Sequence, residues 1–155
     1  MMKGKKIAIV TGATGGLGLE FVRLLLKEKN VDEIWALARN EKKLSRLKDK
    51  FGKKIKIYSI DLSSVRQIKC FGEELHEEAG RKNLEISYLV NNAGFAKFCS
   101  YGDLSVEESL NMMHVNMDAV VAMGLVCIPY MKKGSHMINI ASQASFQPLP
   151  YQNIY

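Results

Sequence analysis

The chain has 155 residues, one domain's worth, and its 47% apolar and 25% charged composition is that of a globular protein, not a disordered or fibrous one. Its longest apolar stretch, 119–131, is shorter than the roughly 20 residues a bilayer requires, and no leader segment is visible before Ile7. Both point away from a membrane partner, while an odd number of scattered cysteines points to a cytoplasmic location. The net charge of +6 is concentrated at 39–56, where nine Lys/Arg stand against only Glu41 and Asp49. That run is either a solvated helix face or a positive field around a phosphate-bearing ligand, and without interleaved aromatics it predicts no nucleic-acid binding. Cys70, Cys99 and Cys127 are odd in number and far apart, which predicts reduced thiols and no metal site.

Strand and helix signals alternate along the chain. A short apolar run at 7–10 ends at glycines and predicts a buried strand. Leu17, Phe21, Leu24 and Leu25 fall at helical spacing and predict a helix over 17–29. A strand at 34–38 follows, then a basic helix over 41–50 that Asn40 can cap. The next strand is 55–60. Ser64 and Gln67 have capping-box spacing and open a helix reaching about Ala79. A strand at 86–90 precedes a long helix opened by Ser105 and Glu108, another capping-box pair, and Pro129 helps to end it. The last strand is 137–141. This alternation predicts a parallel sheet with helices on both faces and right-handed crossovers.

The segment Thr11-Gly12-Ala13-Thr14-Gly15-Gly16-Leu17-Gly18 lies between the first strand and the first helix. In that setting Gly12 allows a sharp turn and Gly16 lets the backbone approach a pyrophosphate. Gly18 permits close packing, and N–H groups at the helix start face the anion. The segment resembles the T-G-x-x-x-G-x-G fingerprint of short-chain dehydrogenases/reductases. It equally fits T-G-x-x-G-x-x-G of their extended, epimerase-like branch. Asn91-Asn92-Ala93-Gly94, after the fourth strand, matches the N-N-A-G motif that separates the non-extended enzymes from that branch. His114-Val115-Asn116, Ser142 and Tyr155 follow in the family's order, so the resemblance covers the whole chain.

The resemblance implies an α/β, Rossmann-type doubly wound sheet of strand order 3-2-1-4-5, with 1–155 as a single dinucleotide-binding domain. It implies reversible hydride transfer between a nicotinamide cofactor and a small-molecule carbonyl or alcohol. The implied cofactor residues are Gly12, Thr14, Gly15, Gly16, Leu17, Gly18, Arg39, Asp61, Leu62, Asn92, Ala93 and Gly94. NADP is expected over NAD, because Ala38 stands where NAD-preferring members carry an acid and Arg39 suits a 2′-phosphate. Asp61 would accept a hydrogen bond from the adenine amino group, although by itself it also reads as a helix cap.

The catalytic set implied is Asn116, Ser142 and Tyr155. Ser142 would hydrogen-bond the substrate oxygen, Tyr155 would donate or remove the proton, and Asn116 would hold a water. The family's lysine, four residues past the tyrosine, has no position within 155 residues. The expectation is therefore a truncated chain that lacks its C-terminal strands and helices. Activity is expected of its full-length parent, and this chain itself would be an inactive cofactor-binding fragment or a scaffold. The 105–131 helix is expected to mediate homo-oligomerisation, as it does in the family.

Overall fold

The computed structural model describes residues 4–100, 102–147 and 149–152. Five strands form one parallel sheet: β1 (Lys6–Thr11), β2 (Glu33–Ala38), β3 (Ile55–Ser59), β4 (Glu85–Asn91) and β5 (Met131–Asn139). Their order is β3-β2-β1-β4-β5, the Rossmann-type arrangement the family resemblance implies. The helices are α1 (Gly16–Leu25), α2 (Glu41–Phe51), α3 (Val65–Lys82), α4 (Val106–Met113) and α5 (Ala119–Cys127).

The sequences of β1, β2 and β4 are nearly continuous apolar runs because both faces of the sheet are covered there, whereas β5 is largely exposed. In β1 the side-chain alternation divides those faces. Ile7 and Ile9 join Trp35, Leu37 and Leu89 in a core completed by Ile68, Phe71 and Leu75 of α3 and Met123 and Cys127 of α5. Ala8 and Val10 join Ile34 and Ala36 in a second core, closed by Val22 and Leu25 of α1 and Leu44 and Leu47 of α2.

Four local features depart from the sequence-based expectation. First, α1 stops at Leu25 instead of running on to 29, and a turn takes over in which Lys27 N–H donates to Leu24 O and Glu28 N–H to Leu25 O. Second, the Ser64/Gln67 capping box forms only by half. Ser64 Oγ accepts from Gln67 N at 3.4 Å, but Gln67 Oε1 turns to Asp61 N at 2.8 Å. The Ser105/Glu108 box closes in both directions, each bond 3.1 Å long. Third, β5 begins six residues before 137. Ile86 pairs with Met131 and Tyr88 with His136, so an irregular 132–135 loop interrupts the pairing. Gly134 supplies a positive φ of 92° there, and Ser135 Oγ donates to Ile86 O at 2.6 Å. The charged pair Lys132-Lys133 masks this strand in the sequence.

Fourth, the long helix is not uniform. One π turn, His114–Asp118, separates α4 from α5, and a 3₁₀ turn, Ile128–Tyr130, follows. Together they make a 25-residue helical run, Val106–Tyr130, long and apolar enough to cross a membrane by length and composition. The apolar stretch counted from sequence was only its second half. Its Met112, Val115, Ala119, Met123 and Cys127 are buried, which is the pattern of a helix packed on a sheet.

Candidate active-site cleft

The C-terminal ends of the parallel strands are where an open α/β sheet binds ligands. Here they border a cleft of about 1060 Å³. Its floor begins with the glycine loop. Gly12 and Gly16 have φ of 65° and 52°, a region that strains other residues. A Cβ on Gly18 would collide with the Gly12 carbonyl oxygen and come within 2.6 Å of Asn92 Nδ2. Around Gly15 and Gly16 nothing lies within 4 Å of such an atom, so those two positions stay open towards the cleft that they line.

The loop is clasped to the N-N-A-G segment. Thr11 Oγ1 accepts from the N–H groups of Asn92 and Ala93, both at 2.9 Å, and donates to Val90 O at 3.4 Å. Asn92 Nδ2 donates back to Thr11 O at 3.0 Å and Gly12 O at 3.4 Å. One buried threonine and one amide thus lock the ends of β1 and β4 together. Thr11 is not among the sequence-predicted site residues, although it is the first letter of the quoted fingerprint.

At the end of β2, exposed Arg39 lines the cleft beside Asn40 and Lys43. Asn40 Oδ1 caps α2 by accepting from Lys43 N at 2.9 Å. The cap brings a second cation to the wall that carries Arg39. Lys43 is not among the sequence-predicted site residues. The signal was the four-residue spacing from Arg39, hidden in a run of lysines. Past β3, Asp61 Oδ1 accepts from Ser63 N at 3.0 Å and Ser63 Oγ at 2.8 Å. Asp61 therefore holds a turn while Ser64 caps α3, and both Asp61 and Leu62 line the cleft.

Asn116 sits in the π turn, a distortion often found at functional sites. Its amide is bound twice to one backbone unit: Phe95 N donates to Oδ1 at 3.0 Å and Nδ2 donates to Phe95 O at 2.9 Å. A Cβ on Gly94 would lie 3.1 Å from that Oδ1, so a larger residue there would press on the bond. Ser142, after β5, accepts from Ala144 N through Oγ at 3.2 Å.

Of the sequence-predicted residues, Gly12, Thr14, Gly15, Gly16, Leu17, Arg39, Asp61, Leu62, Asn92, Ala93, Gly94, Asn116 and Ser142 all border this one cleft. Gly18 does not; it is buried and its place is in packing. Tyr155 lies outside the described residues.

Similarity to known proteins agrees with this architecture. An NADP-dependent 3-hydroxy acid dehydrogenase of Escherichia coli (strain K12) is 31% identical over 152 residues, which is 96% of this chain and 59% of that protein. A benzil reductase ((S)-benzoin forming) of Saccharomyces cerevisiae is 24% identical over 152 residues, covering 92% of this chain and 56% of the reductase. Among solved structures, the closed form of a serine dehydrogenase complexed with NADP+ superposes with a TM-score of 0.82 at 31% identity. That match covers 96% of this chain and 59% of the solved one. The chain thus spans little more than half the length of these relatives. The family model described as short chain dehydrogenase matches residues 6–155, and the chain belongs to that family.

Proposed function

We propose that residues 1–155 form the dinucleotide-binding domain of an NADP-preferring oxidoreductase that moves a hydride between nicotinamide and a carbonyl or alcohol carbon of a small molecule. The observation that carries this reading is the single cleft joining the glycine loop, two cations, N-N-A-G, Asn116 and Ser142. The residues fit NADP on three counts. Gly15 and Gly16 leave the start of α1 open to a pyrophosphate. Ala38 places no acid where a 2′-phosphate would sit. Arg39 and Lys43 both line that end.

In this reading Gly12, Thr14, Gly15, Gly16, Leu17, Asn92, Ala93 and Gly94 hold the pyrophosphate and ribose. Asp61 and Leu62 border the adenine, and Arg39 with Lys43 hold the 2′-phosphate. Gly18 keeps the loop in shape. Bound there, NADP supplies the hydride chemistry. Ser142 Oγ already accepts a bond from Ala144 N, so its own proton is left to donate to a substrate oxygen. Tyr155 is the proposed proton donor in reduction and acceptor in oxidation. A phenol ordinarily titrates near 10, so this role requires a cation beside it at neutral pH. Asn116 sets the position of the Phe95 backbone, and one amide hydrogen remains for the water the family resemblance implies.

A cytoplasmic, self-associating protein belongs to the same proposal. The α4–α5 run leaves Val121 and Leu125 63% and 69% exposed, and a second copy covering this face would bury them. Sedimentation of the purified chain tests that point. The cofactor reading is tested by titrating the chain with NADPH and following cofactor fluorescence. Saturable binding, reversed by NADP+, is expected. Its absence would leave the chain as a scaffold only.

A further inference from the structure

We propose that the basic face of α2 captures the cofactor through its electric field. Lys42 and Arg46, which do not line the cleft, speed the arrival of the more highly charged cofactor and so favour NADPH over NADH in the rate of binding. The inference deepens the NADP reading and rests on it.

Two surface helices of this fold treat charge differently. In α3 the signs are mixed and paired: Glu77 Oε2 meets Arg81 at 3.1 Å and Glu78 Oε2 meets Lys82 at 2.6 Å, both at the four-residue spacing that supports a helix. In α2 the reverse holds. Lys42, Arg46 and Lys50 recur every four residues, so like charges stack along one side, and Lys43 neighbours Arg46 at three. Like-charge pairs at these spacings destabilise a helix. Lys42 and Lys43 also stand in the first turn, where the helix dipole disfavours cations. Arg39, Lys42, Lys43 and Arg46 are all exposed, and among the described residues none of them forms an ion pair. A face that only solvated the helix would be served by mixed signs, as in α3. An arrangement that works against its own helix and leaves its charge unneutralised points to an anion outside the fold.

Position says which anion. Leu44 and Leu47 anchor the other side of α2 in the core, so the charged side is held in place. It begins at the cleft, which Arg39 and Lys43 line. Arg46 is one turn beyond Lys43, a spacing that puts side chains about 5–6 Å apart, and Lys42 is its neighbour in the chain. Both therefore lie within one Debye length, about 8 Å at physiological ionic strength, of a cation that borders the cleft. Their potential reaches its mouth without any contact, and charge of one sign at a cleft raises the local concentration and the on-rate of its counter-ion. A 2′-phosphate adds about −1.5 to −2 charge at pH 7 to that of the pyrophosphate. The same field thus draws NADPH more strongly than NADH.

Stopped-flow fluorescence of NADPH and NADH, giving association and dissociation rates, tests the inference. The parent chain is compared with a double variant carrying Lys42→Glu and Arg46→Glu. A control carries Lys53→Glu and Lys133→Glu, the same change in net charge at the opposite ends of the strands: Lys53 precedes β3, and Lys133 lies in the irregular segment near the start of β5. At about 0.15 M salt the α2 variant should bind NADPH about fivefold more slowly and NADH about twofold, with dissociation unchanged. The control should stay close to the parent. At about 1 M salt, where charges act over roughly 3 Å, the differences should vanish. The milder pair Lys42→Gln and Arg46→Gln should fall between parent and α2 variant, in proteins whose melting curves show them folded. Unchanged association, equal slowing of both cofactors, equal slowing in the control, or a change confined to dissociation overturns the inference alone. Failure of NADPH to bind the parent chain overturns the oxidoreductase reading and this inference with it.

Discussion

Gly18 and Asn92 approach so closely that the amide nitrogen of Asn92 occupies space a Cβ on Gly18 would need, 2.6 Å away. That nitrogen is also the donor tying N-N-A-G to Thr11 and Gly12. Packing and cofactor geometry therefore meet at one contact, whereas Gly15 is a glycine with empty space around it.

The contrast between these two glycines separates folding from binding. Gly18→Ala should destabilise the protein by about 3 kcal/mol, the upper part of the overpacking range, because the obstructing atoms include backbone. Gly15→Ala should change stability by no more than ~0.5 kcal/mol, since its φ of −171° suits any residue. Its methyl would nonetheless stand between the loop and a phosphate, and NADPH affinity should fall about tenfold. Gly16→Val is a poorer probe, because it also forces a branched residue to a φ of 52°. Urea melts and fluorescence titrations of both alanine variants provide the check. A Gly15→Ala protein that binds NADPH normally would reduce the loop to a turn.

Arg39 and Lys43 make a graded prediction. Arg39→Ala should weaken NADPH binding by about 1.5–3 kcal/mol, the scale of a hydrogen bond to a charged group. Lys43→Ala should cost less, about 0.2–1 kcal/mol, as expected of an exposed point charge. NADH affinity should barely move in either variant, and the NADPH effects should shrink with added salt. Equal losses for both cofactors would remove these residues from the 2′-phosphate.

How much of this was legible follows from where the information lies. The parallel sheet and the cleft's position follow from alternation and from glycines between β1 and α1, which are local signals, while the strand order came only with the family resemblance. The clasp through Thr11 was not legible, because its partners are 81 and 82 residues away. Nor was the π turn around Asn116, since 114–118 reads as ordinary helix and only the pair of hydrogen bonds to Phe95, 21 residues away, shows what the turn positions. Lys43 was hidden by abundance: among the nine basic residues of 39–56, only its spacing from Arg39 marks it as a second cation lining the cleft. The early start of β5 was hidden because an irregular, charged segment lacks strand periodicity, while its pairing with Ile86 is non-local.

Cys127 tests the core between α5 and the sheet. Burial pushes its thiol up to about 12, because desolvation disfavours the thiolate. Cys70 is exposed on α3. In native protein at pH 8, iodoacetamide should alkylate Cys70 and spare Cys127, which should react only after urea unfolds the chain. Peptide mapping by mass spectrometry reads both sites at once. Comparable native rates would mean that the α5 face opens readily, contrary to the packing described.

Asn116 offers the sharpest test of the π turn. Its amide satisfies both the N–H and the C=O of Phe95, a donor and an acceptor from one side chain. Asn116→Ala leaves both groups without that partner and should destabilise the chain by about 1–3 kcal/mol, the cost of unsatisfied polar groups that water only partly reaches. Asn116→Asp is the more telling change. It keeps the size and still accepts from Phe95 N, but at neutral pH it turns a carboxylate oxygen towards Phe95 O, where a donor had been. It should therefore be at least as destabilised as the alanine variant, despite conserving shape. If the side chain merely filled space, Asn116→Asp would melt close to the parent protein and only Asn116→Ala would be weakened. Urea melts of the two variants, run side by side, decide between a positioning amide and simple packing.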